Sequence, residues 1–149
     1  MVLALRGTNG LNVLTDKCAA EWMAAYERGD GKYPEPKLDS YLRLYKKIKS
    51  DRMKMYNISR PFKPSGTQEQ SIGQLNRLRN EFIHFVPKGW SLEVSGLPQI
   101  VGDCLNAISF LAFECGNVIW HETALETQTR VLIEKMKLDA SPIWNIYDR

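Results

Sequence analysis

Apolar positions recur along this chain at steps of three and four residues, and proline and glycine divide the recurrence into blocks. Leu11, Leu14, Cys18, Trp22 and Ala25 predict a first helix that ends near Arg28, where GDGKYPEP opens a loop. Leu38, Tyr41, Leu42, Tyr45 and Ile48 predict a second, basic helix reaching toward Met55. NISRPFKPSG is a two-proline loop. Thr67 and Gln70 beyond it have the spacing of a capping box, whose two side chains satisfy free backbone amides reciprocally. A third helix then carries Ile72, Leu75, Leu78 and Phe82 until Pro87 stops it.

VPKGWSLEVSG reads as a loop that tucks Trp90, Leu92 and Val94 into the core, and its SLEV stretch holds the one short alternation suited to a strand. Pro98 suits the first turn of a fourth helix through Ile100, Val101, Cys104, Leu105, Ile108, Leu111 and Cys115, which Gly116-Asn117 breaks or bends. Leu125, Val131, Leu132 and Met136 mark a last helix, followed by a tail over about 139–149 that includes SPIWNIY. The pattern predicts an all-α fold, a single helical bundle of about five helices. A chain of 149 residues suits one domain with a single core.

The most apolar run, residues 100–120, contains Asp103, Asn106 and Glu114, so it is a buried helix and not a membrane span. No leader pattern opens the chain, and a cytoplasmic protein away from membranes is expected. Three cysteines without metal-like spacing read as reduced thiols. On one continuous helix, Cys104 and Cys115 would stand roughly 16 Å apart at 1.5 Å per residue, too far to bridge.

Charge changes the picture more than composition does. The net charge is only +3, yet residues 43–63 hold eight cations, among them Lys46, Lys47, Lys49, Arg52 and Lys54, against the single Asp51. That segment is therefore +7 and the remainder −4. A surface that faces a polyanion such as RNA has this character, and so does a solvated helix face.

No phosphate-binding glycine loop, nucleophile elbow or paired CxxC unit is present, and the histidines and cysteines are too few and scattered for a zinc site. No cofactor or metal is expected. Of the two histidines, His121 stands at the start of a helix as a capping or packing residue. His84 follows Arg79 and Asn80 in LRNEFIHF (78–85). Asn80 and His84 project about 40° apart on a helix, whereas Arg79 and His84 are about 140° apart and about 7.5 Å along the axis. One helix does not bring Arg79 and His84 together, but two copies packed about a twofold axis can place both pairs in one cleft. Histidine can move a proton to or from a hydroxyl, arginine can hold a phosphate, and Asn80 can orient either group. These groups suffice for RNA cleavage by attack of the 2′-hydroxyl on its own phosphodiester, with no metal. A solvated arginine and a histidine that satisfies helix-end carbonyls would give the same letters.

Arg79-Asn80-Glu81-Phe82-Ile83-His84 resembles the R-x(4–6)-H motif of HEPN domains, in the form with a polar residue directly after the arginine. The setting is similar: the motif lies near the end of a helix, ahead of a loop and a long apolar helix. The likeness spans about residues 11 to 138, and RGTNG (6–10) interrupts the region where the first helix of such a domain begins. The resemblance implies a small all-α bundle that acts as a homodimeric, metal-independent endoribonuclease, often a component of toxin–antitoxin or other defence systems, with an antitoxin or nucleotidyltransferase as partner. It implies catalytic roles for Arg79 and His84 and a supporting one for Asn80. Some HEPN domains are instead dimerisation or binding modules for RNA, a nucleotide or a partner protein, and the motif does not separate the two. A third reading, a small-molecule-binding bundle, calls for an enclosed apolar pocket lined by Trp22, Trp90 or Phe113 and lacking a basic rim.

Overall fold

The structure, a computed structural model, describes residues 1–7, 10–83 and 96–147, for the last seven of which only the backbone is described. It is all-α. Among the described residues there are six α-helices, where about five were expected: α1 Val2–Arg6, α2 Asp16–Arg28, α3 Tyr41–Ile48, α4 Gln68–Ile83, α5 Leu97–Ser109 and α6 Thr123–Tyr147. Among the described residues the only β pairing is one antiparallel bridge between Leu14 and Leu38. The SLEV stretch and the predicted burial of Trp90, Leu92 and Val94 lie outside the described residues.

Local chemistry explains where the helices differ from the apolar pattern. Leu11 and Leu14 keep the helical spacing, yet Leu11–Val13 is a 3-10 turn and Leu14 is extended. Thr15 supplies the cap, its hydroxyl accepting from the Cys18 amide, so α2 begins at Asp16. The second helix starts only at Tyr41 for a similar reason. Leu38 is held in the bridge, with the Asp39 amide donating to the Val13 carbonyl. At α4 the expected capping partners are displaced: Thr67 donates its hydroxyl to Asp103 at 2.7 Å, and Gln68 Oε1 reaches back to the Ser65 amide at 2.9 Å. α5 ends at Ser109 and passes into a π-helical turn, Phe110–Glu114, before Gly116 takes a left-handed φ of 75°. The expected C-terminal tail is helical through Tyr147, although Pro142 withholds an amide from the Leu138 carbonyl.

The helices group into two compact units. The first comprises Met1–Phe62 together with Leu111–Val118, and the second comprises Lys63–Phe110 and Ile119–Arg149. In the first unit the later segment enters the core: Leu111, Cys115 and Asn117 are buried with Leu5, Ile48 and Met53. Asn117 ties that core together. Its Nδ2 donates to the carbonyls of Ala4 and Met53, both at 2.9 Å, and its Oδ1 accepts from the Ser59 hydroxyl.

In the second unit α5 packs against both α4 and α6. Gln99 donates to Thr67, and Ser71 donates to the buried Asp103, two pairs that are each 32 residues apart. These bonds, with that from Thr67 to Asp103, clasp the amino-terminal ends of α4 and α5 together.

Candidate functional site

Arg79 and Asn80 stand near the carboxy-terminal end of α4. Ile72 is buried on the side of the helix that faces α5, but Leu75, Phe82 and Ile83, which continue the same side, are exposed. Helical geometry places these three and Arg79 within an arc of about 100°. The guanidinium thus rises beside the exposed apolar side chains of Leu75 and Ile83.

Both polar side chains are exposed, and Arg79 Nη1 donates to Asn80 Oδ1 at 3.2 Å. The acid nearest in sequence, Glu81, is engaged elsewhere: its Oε1 lies 3.8 Å from Arg77 Nε across one helical turn. Among the described residues no carboxylate pairs with Arg79. Its remaining N–H groups can donate to an anion, phosphate above all, in the forked geometry that guanidinium favours. His84, the proposed proton carrier, lies outside the described residues, so the structure brings Arg79 together with Asn80 and does not address the third member.

The five cations assigned to an RNA-facing surface separate into two groups. Lys47 is not on a surface. It is buried, its Nζ donating to the Leu14 carbonyl at 2.6 Å and pairing with the buried Asp39 carboxylate at 2.8 Å. By charge alone the stretch is uniformly basic, yet Lys47 shares a helix side with Leu44 and Ile48, which the core requires inward. Only a carboxylate brought by the loop before α3 makes that burial tolerable. Lys46, Arg52 and Lys54 do reach solvent, and Lys49 is half-buried. Arg52 Nη1 pairs with Asp16 at 2.9 Å, Lys54 pairs with Asp51 at 2.7 Å, and Lys49 lies 4.6 Å above the Tyr45 ring. The Arg52 guanidinium holds the Asp16 carboxyl below the usual carboxylate range, with Lys47 adding to the effect. Much of the +7 is therefore answered within the first unit.

Comparison of the chain with protein-family models, with curated proteins and with solved structures finds no match.

Other candidates are quickly placed. The three cysteines are free thiols, and burial, with Asp103 adjacent, pushes the Cys104 thiol up. No set of three metal-ligating side chains converges among the described residues. His121 is exposed in a bend two residues ahead of α6. Trp22 lines an open groove with Val2 and Leu38, and Arg6 stands in its wall, so that groove is neither enclosed nor free of a basic group. Among the described residues no helix is long and apolar enough to cross a membrane.

The residues that sequence reasoning missed are acids. Asp39 and Asp103 are the buried counter-groups of the two units. The signal for Asp103 was present, as an acid inside an apolar run. Asp39 looked like the end of a loop.

Proposed function

We propose that this chain is a cytoplasmic, metal-independent endoribonuclease whose active site is shared between two copies, as part of a toxin or defence system. The observation that carries the reading is the exposed Arg79 guanidinium, bonded to Asn80, without a carboxylate partner among the described residues and set in a strip with the exposed Leu75 and Ile83. Such a strip is what a second copy of α4 would cover, and a twofold axis there would bring two Arg79 and two His84 side chains to one cleft.

In that cleft neutral His84 takes the proton of the 2′-hydroxyl as the oxygen attacks the adjacent phosphorus. Arg79 stabilises the charge that grows on the non-bridging oxygens, and Asn80 holds the guanidinium in place. The 5′-oxygen leaves with a proton from the second His84, giving a 2′,3′-cyclic phosphate. No metal enters the reaction.

The second reading is a non-catalytic module that dimerises and binds RNA, a nucleotide or a partner protein. The exposed apolar residues of α6, among them Leu132 and Met136, favour it, since they add docking surface on a second helix. The deciding experiment is incubation of the purified protein with single-stranded RNA in EDTA, beside Arg79→Ala and His84→Ala. Wild-type cleavage that both variants lose by about a hundredfold or more supports the nuclease. An inert wild type, or full activity in His84→Ala, removes it in favour of the module.

A further inference from the structure

The first unit carries a groove unrelated to Arg79. It has a volume of about 400 Å³ and is lined by Glu21, Ala24, Arg28, Lys32, Tyr33 and Pro34. α2 forms one wall, and the chain turns back over it at once. Gly29 and Gly31 take left-handed φ values of 66° and 68°, which glycine adopts without strain. Asp30 pins the turn, one oxygen accepting from the Lys32 amide at 2.9 Å and the other lying 3.3 Å from Arg28 Nε. These bonds hold the Asp30 carboxyl below its usual range, the Lys32 amide contributing most.

The turn delivers Tyr33 onto Trp22, with ring centroids 4.8 Å apart and planes inclined by 26°. One face of the phenol is thus covered by indole, while the residue remains 46% exposed and lines the groove. Around it the charges are largely settled. Glu21 is within 3.8 Å of Lys17, and Arg28 is paired with Asp30, but Lys32 has no ion-pair partner among the described residues. A pre-stacked aromatic platform beside one unanswered ammonium matches a flat aromatic ring that carries one negative group.

We propose that this groove binds a single unpaired nucleotide, its base stacking on the outer face of Tyr33 and its phosphate meeting Lys32. The base would form the third layer of a stack begun by Trp22 and Tyr33, an arrangement that accepts any base because each presents a π-face. Glu21 lies on the same wall and can accept from an exocyclic amine. The nucleotide comes either free or as one residue of single-stranded RNA, and the recognising chemistry is the same. The site does not depend on the cleavage reading, since none of its residues belongs to the Arg79 strip.

The test is binding to the full chain of AMP, by isothermal titration, and of a fluorescein-labelled hexaadenylate with 2′-O-methyl groups, by anisotropy. The methylated strand has no 2′-hydroxyl, so the proposed cleavage cannot consume it and its binding is read whether or not the protein is a nuclease. Tyr33→Ala is expected to weaken binding by about five- to a hundredfold, the range found when a stacking ring is removed, and Tyr33→Phe to retain it within about twofold. Lys32→Ala is expected to reduce the slope of log affinity against log salt by about 0.7, one phosphate contact on a single strand. AMP binding equal to that of the hexamer assigns the groove to free nucleotides, and tighter hexamer binding assigns it to RNA. The proposal is overturned if neither ligand binds, or if Tyr33→Ala, shown folded by circular dichroism, binds as wild type does.

Discussion

Gly116 shows how much one backbone angle can decide. Its φ of 75° is strained for any side chain, and a Cβ there would meet the Ile58 carbonyl oxygen at 2.6 Å. Gly29 has a comparable φ of 66° but open space around it. Gly29→Ala should therefore cost about 1 kcal/mol, for conformation alone. Gly116→Ala adds a backbone clash, and a loss of about 2–4 kcal/mol is expected, or a fall in Tm of roughly 5–15 °C. Thermal denaturation of the two variants separates the effects, and equal melting temperatures would show that the clash relaxes freely. The sequence marked Gly116-Asn117 as a break in a helix, which is correct. It did not show that the break sits against Ile58, because that neighbour comes from a loop 58 residues earlier.

At the scale of elements, helix centres were legible and helix ends were not. Apolar spacing is a property of buried sides, and it persists through Leu11 and Leu14 even though Thr15 and the Leu38 bridge set where hydrogen bonding begins. Arg79 and Asn80 were legible as a candidate pair by residue type and spacing. Their exposure beside Leu75 and Ile83 was not, since the apolar spacing of α4 reads as buried along its whole length. The clasp at Asp103 makes its own prediction. Ser71→Ala should cost about 1.5–3 kcal/mol, the value of a hydrogen bond to a charged group. Asp103→Ala should cost more, because it removes the acceptor of both Thr67 and Ser71 and leaves a buried hydroxyl unpaired. Urea titration followed by far-ultraviolet circular dichroism measures both, and a smaller loss in Asp103→Ala would mean that the buried carboxylate opposes its own clasp.

Across the whole molecule, the decisive contacts join segments that no local pattern relates. Asn117 reaches Ala4 across 113 residues and Met53 across 64. The first unit is thus incomplete until residues 111–118 return to it. A fragment of residues 1–62 lacks Leu111, Cys115 and Asn117, and it is expected to show weak ellipticity and no cooperative thermal transition. A sharp melt of that fragment would show that the returning segment decorates a core already formed.

The same return sets an order in time during synthesis. A ribosome that has just added Phe62 must add about 55 more residues before Asn117 exists, which at roughly 5–20 residues per second takes about 3–11 s. Through that interval the carbonyls of Ala4 and Met53, and the apolar surface around Leu5 and Ile48, are without the segment that closes them. The amino-terminal unit is begun first yet stays open while more than a third of the chain is added, so for that interval the nascent chain carries an open, adhesive core.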